Sequence, residues 1–155
     1  MSRVKPDRKP LIALVHNLDR AFQSHMTRAA HARGQTQLRP AHNFLFGTLG
    51  DEGARSVDLA ARAGITRQSM GEVVRELVDL GVLEMVPDPA DRRAKIVRYT
   101  REGEEFASQG FRHLRDLERR FEEEFGEDYE ATRDVLVRVG DLLAEMDRSL
   151  PPEPQ

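Results

Sequence analysis

The chain has no cysteine and no tryptophan, and it has no long apolar run. Without cysteine, disulfides, thiolate metal sites and thiol redox sensing are excluded. No segment approaches the roughly 18 apolar residues that a membrane helix requires, and "LIALV" near the start is cut off by His16 and Asn17, too short for a signal-peptide core. A soluble, cytoplasmic protein is expected. The five histidines, His16, His25, His31, His42 and His113, contain no i, i+3 or i, i+4 pair, so no preformed metal site is expected. There is no Gly-rich phosphate loop, no nucleophile motif and no carboxylate pair in a pocket context. The acidic "RRFEEEFGEDYE" reads as a solvated helix face. Neither enzymatic activity nor a cofactor is expected.

What the chain does have is charge, unevenly placed. Its 155 residues allow one ordinary domain, or a small one with an accessory helical part, and a third of them are charged. The net charge of -3 conceals a division at Thr100: residues 1–100 carry 16 Lys+Arg against 11 Asp+Glu, whereas residues 101–155 carry 8 against 16. A basic first part suits an anion-facing surface, although solvation of charged helices accounts for the imbalance equally well.

Periodicity divides the chain further. Residues 1–10 read as a basic arm. Leu11, Leu14/Val15, Leu18, Phe22, Met26 and Ala29 recur at helical spacing, and this first helix ends near Gly34. "LRPAHNFLFGTLG" predicts a second helix, with Pro40 in its first turn and Gly50 at its end. "RSVDLAARAG" predicts a short third, with Ser56 as N-cap and Gly64 past its C-terminus. In "ITRQSMGEVVRELVDLG", Thr66 caps a fourth helix whose apolar stripe is Met70, Val73, Val74, Leu77 and Leu80. "VLEMV" and "AKIVRY" are β-branched segments on either side of "PDPADRR", a hairpin with an irregular loop. After Thr100, an expected N-cap, a long helix carries Phe106, Gly110, Leu114, Leu117, Phe121 and Phe125 as far as Gly126. A last helix follows with Val135, Leu136, Val139, Leu142, Leu143 and Met146.

The third and fourth helices form a helix-turn-helix, whose second member has the width to enter a DNA major groove. Thr66, Arg67, Gln68 and Ser69 at its start carry groups that hydrogen-bond phosphate or purine edges. A plain two-helix packing unit is the competing interpretation. The hairpin that follows tips the balance, because a helix-turn-helix with a hairpin is a winged helix, and its loop can reach a minor groove whose negative potential attracts arginine. Arg92 and Arg93, adjacent on that loop, would otherwise repel each other. Asp91 is expected to orient Arg93 through a charge-assisted hydrogen bond.

"PDPADRRAKIVRYTREG" resembles the wing signature of the MarR family of bacterial transcription regulators, Asp-x-Arg, five residues, Leu-Thr and then usually Gly. Asp91, Arg93, Thr100 and Gly103 match, and Tyr99 stands where Leu is usual. "LAARAGITRQSMGEVVRELVDLGVLE" and "LRPAHNFLFGTL" resemble the same family's helix-turn-helix and second helix. The resemblance implies a mainly α fold with a small β-hairpin wing. Residues 38–100 would be a winged helix-turn-helix lobe, 11–37 and 101–150 a helical dimerisation region, and 151–155 a tail. It implies a homodimer on double-stranded DNA with a pseudo-palindromic operator, usually repressing. Ser56, Thr66, Arg67, Gln68, Ser69, Arg75, Arg92, Arg93 and Lys95 would be its DNA contacts.

Many such regulators are released by a small aromatic or phenolic ligand between lobe and dimer helices. Arg39, His42, Phe46 and Phe106 are the candidate residues for such a pocket, although a histidine hydrogen-bonded inside the lobe-to-dimer junction is the better reading of His42. The family's zinc-, urate- and cysteine-based sensing do not fit this composition. A winged-helix dimer serving as an architectural or protein-interaction element, with nonspecific DNA affinity, is the alternative function.

Overall fold

The computed structural model describes residues 8–150. The arm expected at residues 1–10 falls mostly outside these, as does the tail at 151–155. In chain order the elements are α1 (Leu11–Ala32), a single 3-10 turn (Pro40–His42), α2 (Asn43–Phe46), α3 (Ser56–Ala63), α4 (Arg67–Asp79), β1 (Leu83–Asp88), β2 (Asp91–Tyr99), α5 (Arg101–Phe125) and α6 (Glu127–Arg148). The described residues fall into two compact units, 8–111 and 112–150.

The first unit holds the apolar core. The α4 stripe is buried at Met70, Val73, Val74 and Leu77, packed with Leu45, Leu49, Leu59, Leu83, Val97 and Phe106. Each fully buried side chain of this kind contributes about 1.5–3 kcal/mol. Thr66 caps α4 as expected, its Oγ1 accepting from the Ser69 N–H at 3.1 Å. Asn43 Nδ2 fastens α2 to α1 by donating to the Gln23 carbonyl at 3.3 Å and to Thr27 Oγ1 at 3.2 Å.

Three expectations need correction. The second helix is only a 3-10 turn and four α residues: it stops at Phe46 rather than near Gly50, where Gly47 and Thr48 favour helix poorly and the Thr48 hydroxyl bonds back to the Phe44 and Leu45 carbonyls. Ser56 is the first residue of α3, not its cap. Arg55 holds the cap position without a side-chain cap bond. The hairpin is also longer and tighter at its tip than "PDPADRR" suggests. β1 runs through Asp88 and β2 starts at Asp91, so Arg92 and Arg93 belong to a strand. Pairing jumps from Pro87–Lys95 to Asp88–Asp91, so Arg92, Arg93 and Ala94 fall in an irregular register.

A further antiparallel bridge joins Ala54 to Val97, with both hydrogen bonds formed, at 3.0 and 2.9 Å. Gly53 permits this approach: at φ +75°, a Cβ there would lie 2.5 Å from the Val97 carbonyl oxygen.

The second unit contains the later part of α5 and all of α6. Gly126, at φ +55°, separates the two helices. Phe121 and Tyr129 pack at 6.0 Å between ring centroids, and Arg133 pairs with Glu118 at 3.4 Å. Val135, Leu136, Leu142, Leu143 and Met146 of α6 are exposed, and Val139 is half-buried.

Candidate nucleic-acid interface

The start of α4 presents Thr66, Arg67, Gln68 and Ser69, all exposed. Thr66 Oγ1 donates to Ser69 Oγ at 2.9 Å, so both hydroxyls are tied to the cap, while Gln68 Nε2 donates to Glu72 Oε1 at 3.3 Å. Ser56 is half-buried at the start of α3.

In the wing, Arg92, Arg93 and Lys95 are exposed. Asp91 does not hold the Arg93 guanidinium as expected. Its Oδ1 accepts from the Arg93 backbone N–H at 3.0 Å, a local turn bond that a flexible side chain two residues along does not displace.

Apart from Arg62 on α3, which donates to the Thr48 carbonyl at 3.3 Å, the cations of the lobe fall into two groups. Arg39 pairs with Glu76, Arg55 with Asp88, and Arg98 with its cross-strand neighbour Glu84 at 2.7 Å. Among the described residues Arg67, Arg75, Arg92, Arg93 and Lys95 have no carboxylate within ion-pair distance. These five lie at the recognition helix and the wing.

The signature's Thr and Gly have structural work. Thr100 Oγ1 donates to the Gly81 carbonyl at 2.6 Å and accepts from the Gly103 N–H at 3.0 Å, so it joins the end of α4 to the start of α5 at the wing's exit. Gly103 lets α5 lie directly on the Val82 carbonyl. Tyr99 keeps the apolar role of the usual Leu. Its ring stacks on Phe46, with centroids 6.2 Å apart and planes 2° from parallel, and Phe46 in turn meets Phe106 at 5.3 Å. The Tyr99 hydroxyl is buried without a hydrogen-bond partner among the described residues, and burial, aided by Asp51, pushes its pKa up to about 12.

Arg39 and His42, named as effector anchors, are both engaged. His42 is 1% exposed. Its Nδ1 accepts from the Arg39 N–H at 3.2 Å, so Nε2 carries the proton and donates to Glu76 Oε2 at 2.7 Å. The hydrogen bond from Arg39, then that from His42, holds the Glu76 carboxyl below its ordinary range. No sequence signal marked Glu76, which lies 34 residues from His42. A cavity of about 400 Å³, lined by Arg20, Gln23, Ser24, Thr27, Arg28 and Pro40, opens between α1 and the 3-10 turn.

Residues 38–94 match the sequence profile of the MarR family. The winged lobe is thus similar to that of the MarR family. A lobe of this kind supports a DNA-binding regulator. Similar solved structures include a MarR family transcription regulator, 18% identical over 90% of this chain and 91% of that one, with a TM-score of 0.77. Apo MarR from E. coli is 19% identical over 85% and 97% of the two chains, with a TM-score of 0.66. The transcriptional regulator BldR from Sulfolobus solfataricus is 18% identical over 87% and 93%, with a TM-score of 0.68. At these identities the likeness to the solved structures is one of fold. No curated protein matches the chain.

Proposed function

We propose that the protein is a homodimeric, sequence-specific repressor that reads its operator with α4 and steadies itself with the wing. The carrying observation is the set of five cations, Arg67, Arg75, Arg92, Arg93 and Lys95, without ion-pair partners among the described residues of a lobe whose other arginines include three held by carboxylates. Phosphates are the natural partners for such a set. Thr66, Gln68 and Ser69 sit at the N-terminal turn of α4, the part of a recognition helix that meets base edges, and Ser56 opens the helix before it. Two lobes related by a two-fold axis would place half-sites about 10 base pairs apart, or a small multiple of that.

Two substitutions separate the roles. Arg93→Ala should weaken operator and random DNA alike by about 1–3 kcal/mol and lower the slope of log affinity against log salt by about one. Gln68→Ala should reduce affinity for the operator more than for random DNA, because a side chain that reads a base contributes only on the right sequence. Binding isotherms at several salt concentrations check both. A Gln68→Ala loss that is equal on both duplexes would make Gln68 a backbone contact.

Release of DNA is proposed to come from an aromatic or phenolic effector near Arg39, His42, Phe46 and Phe106. Support lies in what those residues already do: Arg39 and His42 bind a carboxylate, that of Glu76 on the recognition helix. An aromatic carboxylate taking that place would free α4 from the 3-10 turn, and differential affinity for the two arrangements is what an effector requires. In the same isotherms, millimolar salicylate should lower operator affinity in the wild type and less so in Arg39→Ala. Equal sensitivity of the two proteins would refute this placement.

A further inference from the structure

Asp88 is a carboxylate in a basic wing, and it is almost completely buried there. Its Oδ1 accepts from the Ala90 N–H at 2.8 Å, closing the two-residue tip, and its Oδ2 accepts from Arg55 Nε at 2.7 Å and forms an ion pair with Nη2 at 2.5 Å. Arg55 Nη2 also lies 3.9 Å from Asp91 Oδ2. Thus one guanidinium, from the residue that opens the helix-turn-helix, touches both carboxylates of the wing tip. It starts from a fixed base: the preceding residue, Ala54, is bridged to Val97 in the middle of β2, and Gly53 admits the close backbone approach. The strand segment between this bridge and the tip contains Arg92, Arg93 and Ala94, where the ladder register is irregular and cross-strand pairing does not fix direction.

We infer that Arg55 and Asp88 form a clamp that aims the wing, holding the irregular Arg92–Arg93 segment in the orientation in which both guanidiniums meet DNA. Both are positioning residues. The wing would otherwise be a two-stranded ribbon anchored at its base alone, and such a ribbon is marginal in water. Arg55 also offsets the negative charge of Asp88 and Asp91, which would otherwise oppose the approach of phosphates. The inference rests on the proposed wing contact with DNA, and its test separates the two.

Asp88→Asn is the deciding variant, because two explanations give it opposite signs. Removing an acidic group beside a polyanion, and freeing Arg55, strengthens DNA binding if charge alone matters. Loss of the clamp weakens it. Affinity for a random-sequence duplex is measured across salt concentrations for wild type, Asp88→Asn, Arg92→Ala/Arg93→Ala and the combination, with circular dichroism melting to confirm folding. Arg55→Met, which keeps the Asp88–Ala90 turn bond, is a parallel route to the same loss should Asp88→Asn fold poorly.

The expected result is about a fivefold to tenfold loss in Asp88→Asn and in Arg55→Met, with a shallower salt slope and little further loss when Arg92 and Arg93 are already alanine. Tighter or unchanged binding by Asp88→Asn overturns the clamp. So does a loss from Arg55→Met that persists undiminished in the Arg92→Ala/Arg93→Ala background, since Arg55 would then be touching DNA itself. If Arg92→Ala/Arg93→Ala binds as well as wild type, the wing contact fails, and the clamp fails with it for that separate reason.

Discussion

Deleting residues 127–155 is expected to abolish dimerisation and operator binding together while leaving the winged lobe folded. The buried apolar cluster that holds the lobe lies between Ala30 and Phe106, wholly within the first compact unit. By contrast α6 spans 22 residues without one buried side chain, and Val135, Leu136, Val137, Leu142, Leu143 and Met146 are all between 40% and 64% exposed. An exposed apolar face of that extent is what a protein–protein interface presents when its partner is absent. The first helix has the same property, with Ile12 79% exposed and Leu11, Leu14, Val15 and Leu18 about half exposed.

Covering these faces with a second copy would be worth roughly 1.5–3 kcal/mol for each large side chain fully buried. A dimer held this way disappears when α6 is removed, and a lone lobe then has one half-site to hold. Sedimentation equilibrium and operator binding of the truncated chain check the expectation. A truncated chain that is folded, still dimeric and still tightly bound would refute it. In the full-length chain, Leu142→Glu with Met146→Glu should produce the same dissociation, because burying two carboxylates in an apolar seam is costly.

The second large effect concerns Gly103. Glycine inside a helix normally costs roughly 0.5–1 kcal/mol relative to alanine, so Gly→Ala at an open helical position is stabilising. Gly140 in α6 is such a position, with nothing within 4 Å of an added Cβ. Gly103 is the opposite case: an added Cβ would sit 1.9 Å from the Val82 carbonyl oxygen and 2.8 Å from its carbon. These are backbone atoms, and the Val82 N–H is bonded to the Leu77 carbonyl at 2.9 Å, so the neighbour cannot simply rotate away. Gly103→Ala therefore has to push α5 off the end of α4, disturbing the Thr100 bonds to Gly81 and Gly103. We expect it to destabilise by about 3 kcal/mol, at the upper end of overpacking costs, against a gain of up to about 1 kcal/mol for Gly140→Ala. Urea denaturation of the two variants checks the contrast. Equal stability would mean that α5 does not approach Val82 this closely.

The helix-turn-helix and the long helices were legible in the sequence because their signals are local. The α4 stripe from Met70 to Leu77 repeats at helical spacing, Thr66 caps it, and Met70, Val73, Val74 and Leu77 are all buried, with Leu80 beyond them half-buried. What was illegible depends on partners far apart in sequence or on competition between weak local preferences. The early stop of α2 came from Gly47 and Thr48, which the apolar "NFLF" outweighs when the sequence is read as a pattern. Arg93 has a nearby acid, Asp91, but the backbone N–H claims it first. Arg55 and Asp88 stand 33 residues apart, and nothing in either neighbourhood announces the other. Glu76 likewise went unmarked, because its partners Arg39, which caps the 3-10 turn, and His42, at the turn's end, stand 37 and 34 residues away.

The most direct test of the central claim is the ratio of two affinities at one salt concentration: that for a duplex of the gene's own upstream region and that for a random-sequence duplex of equal length. A regulator that reads sequence through the start of α4 should bind the former at least about a thousandfold more tightly. Equal affinity for the two would contradict the account and favour a winged-helix dimer that coats DNA without reading it.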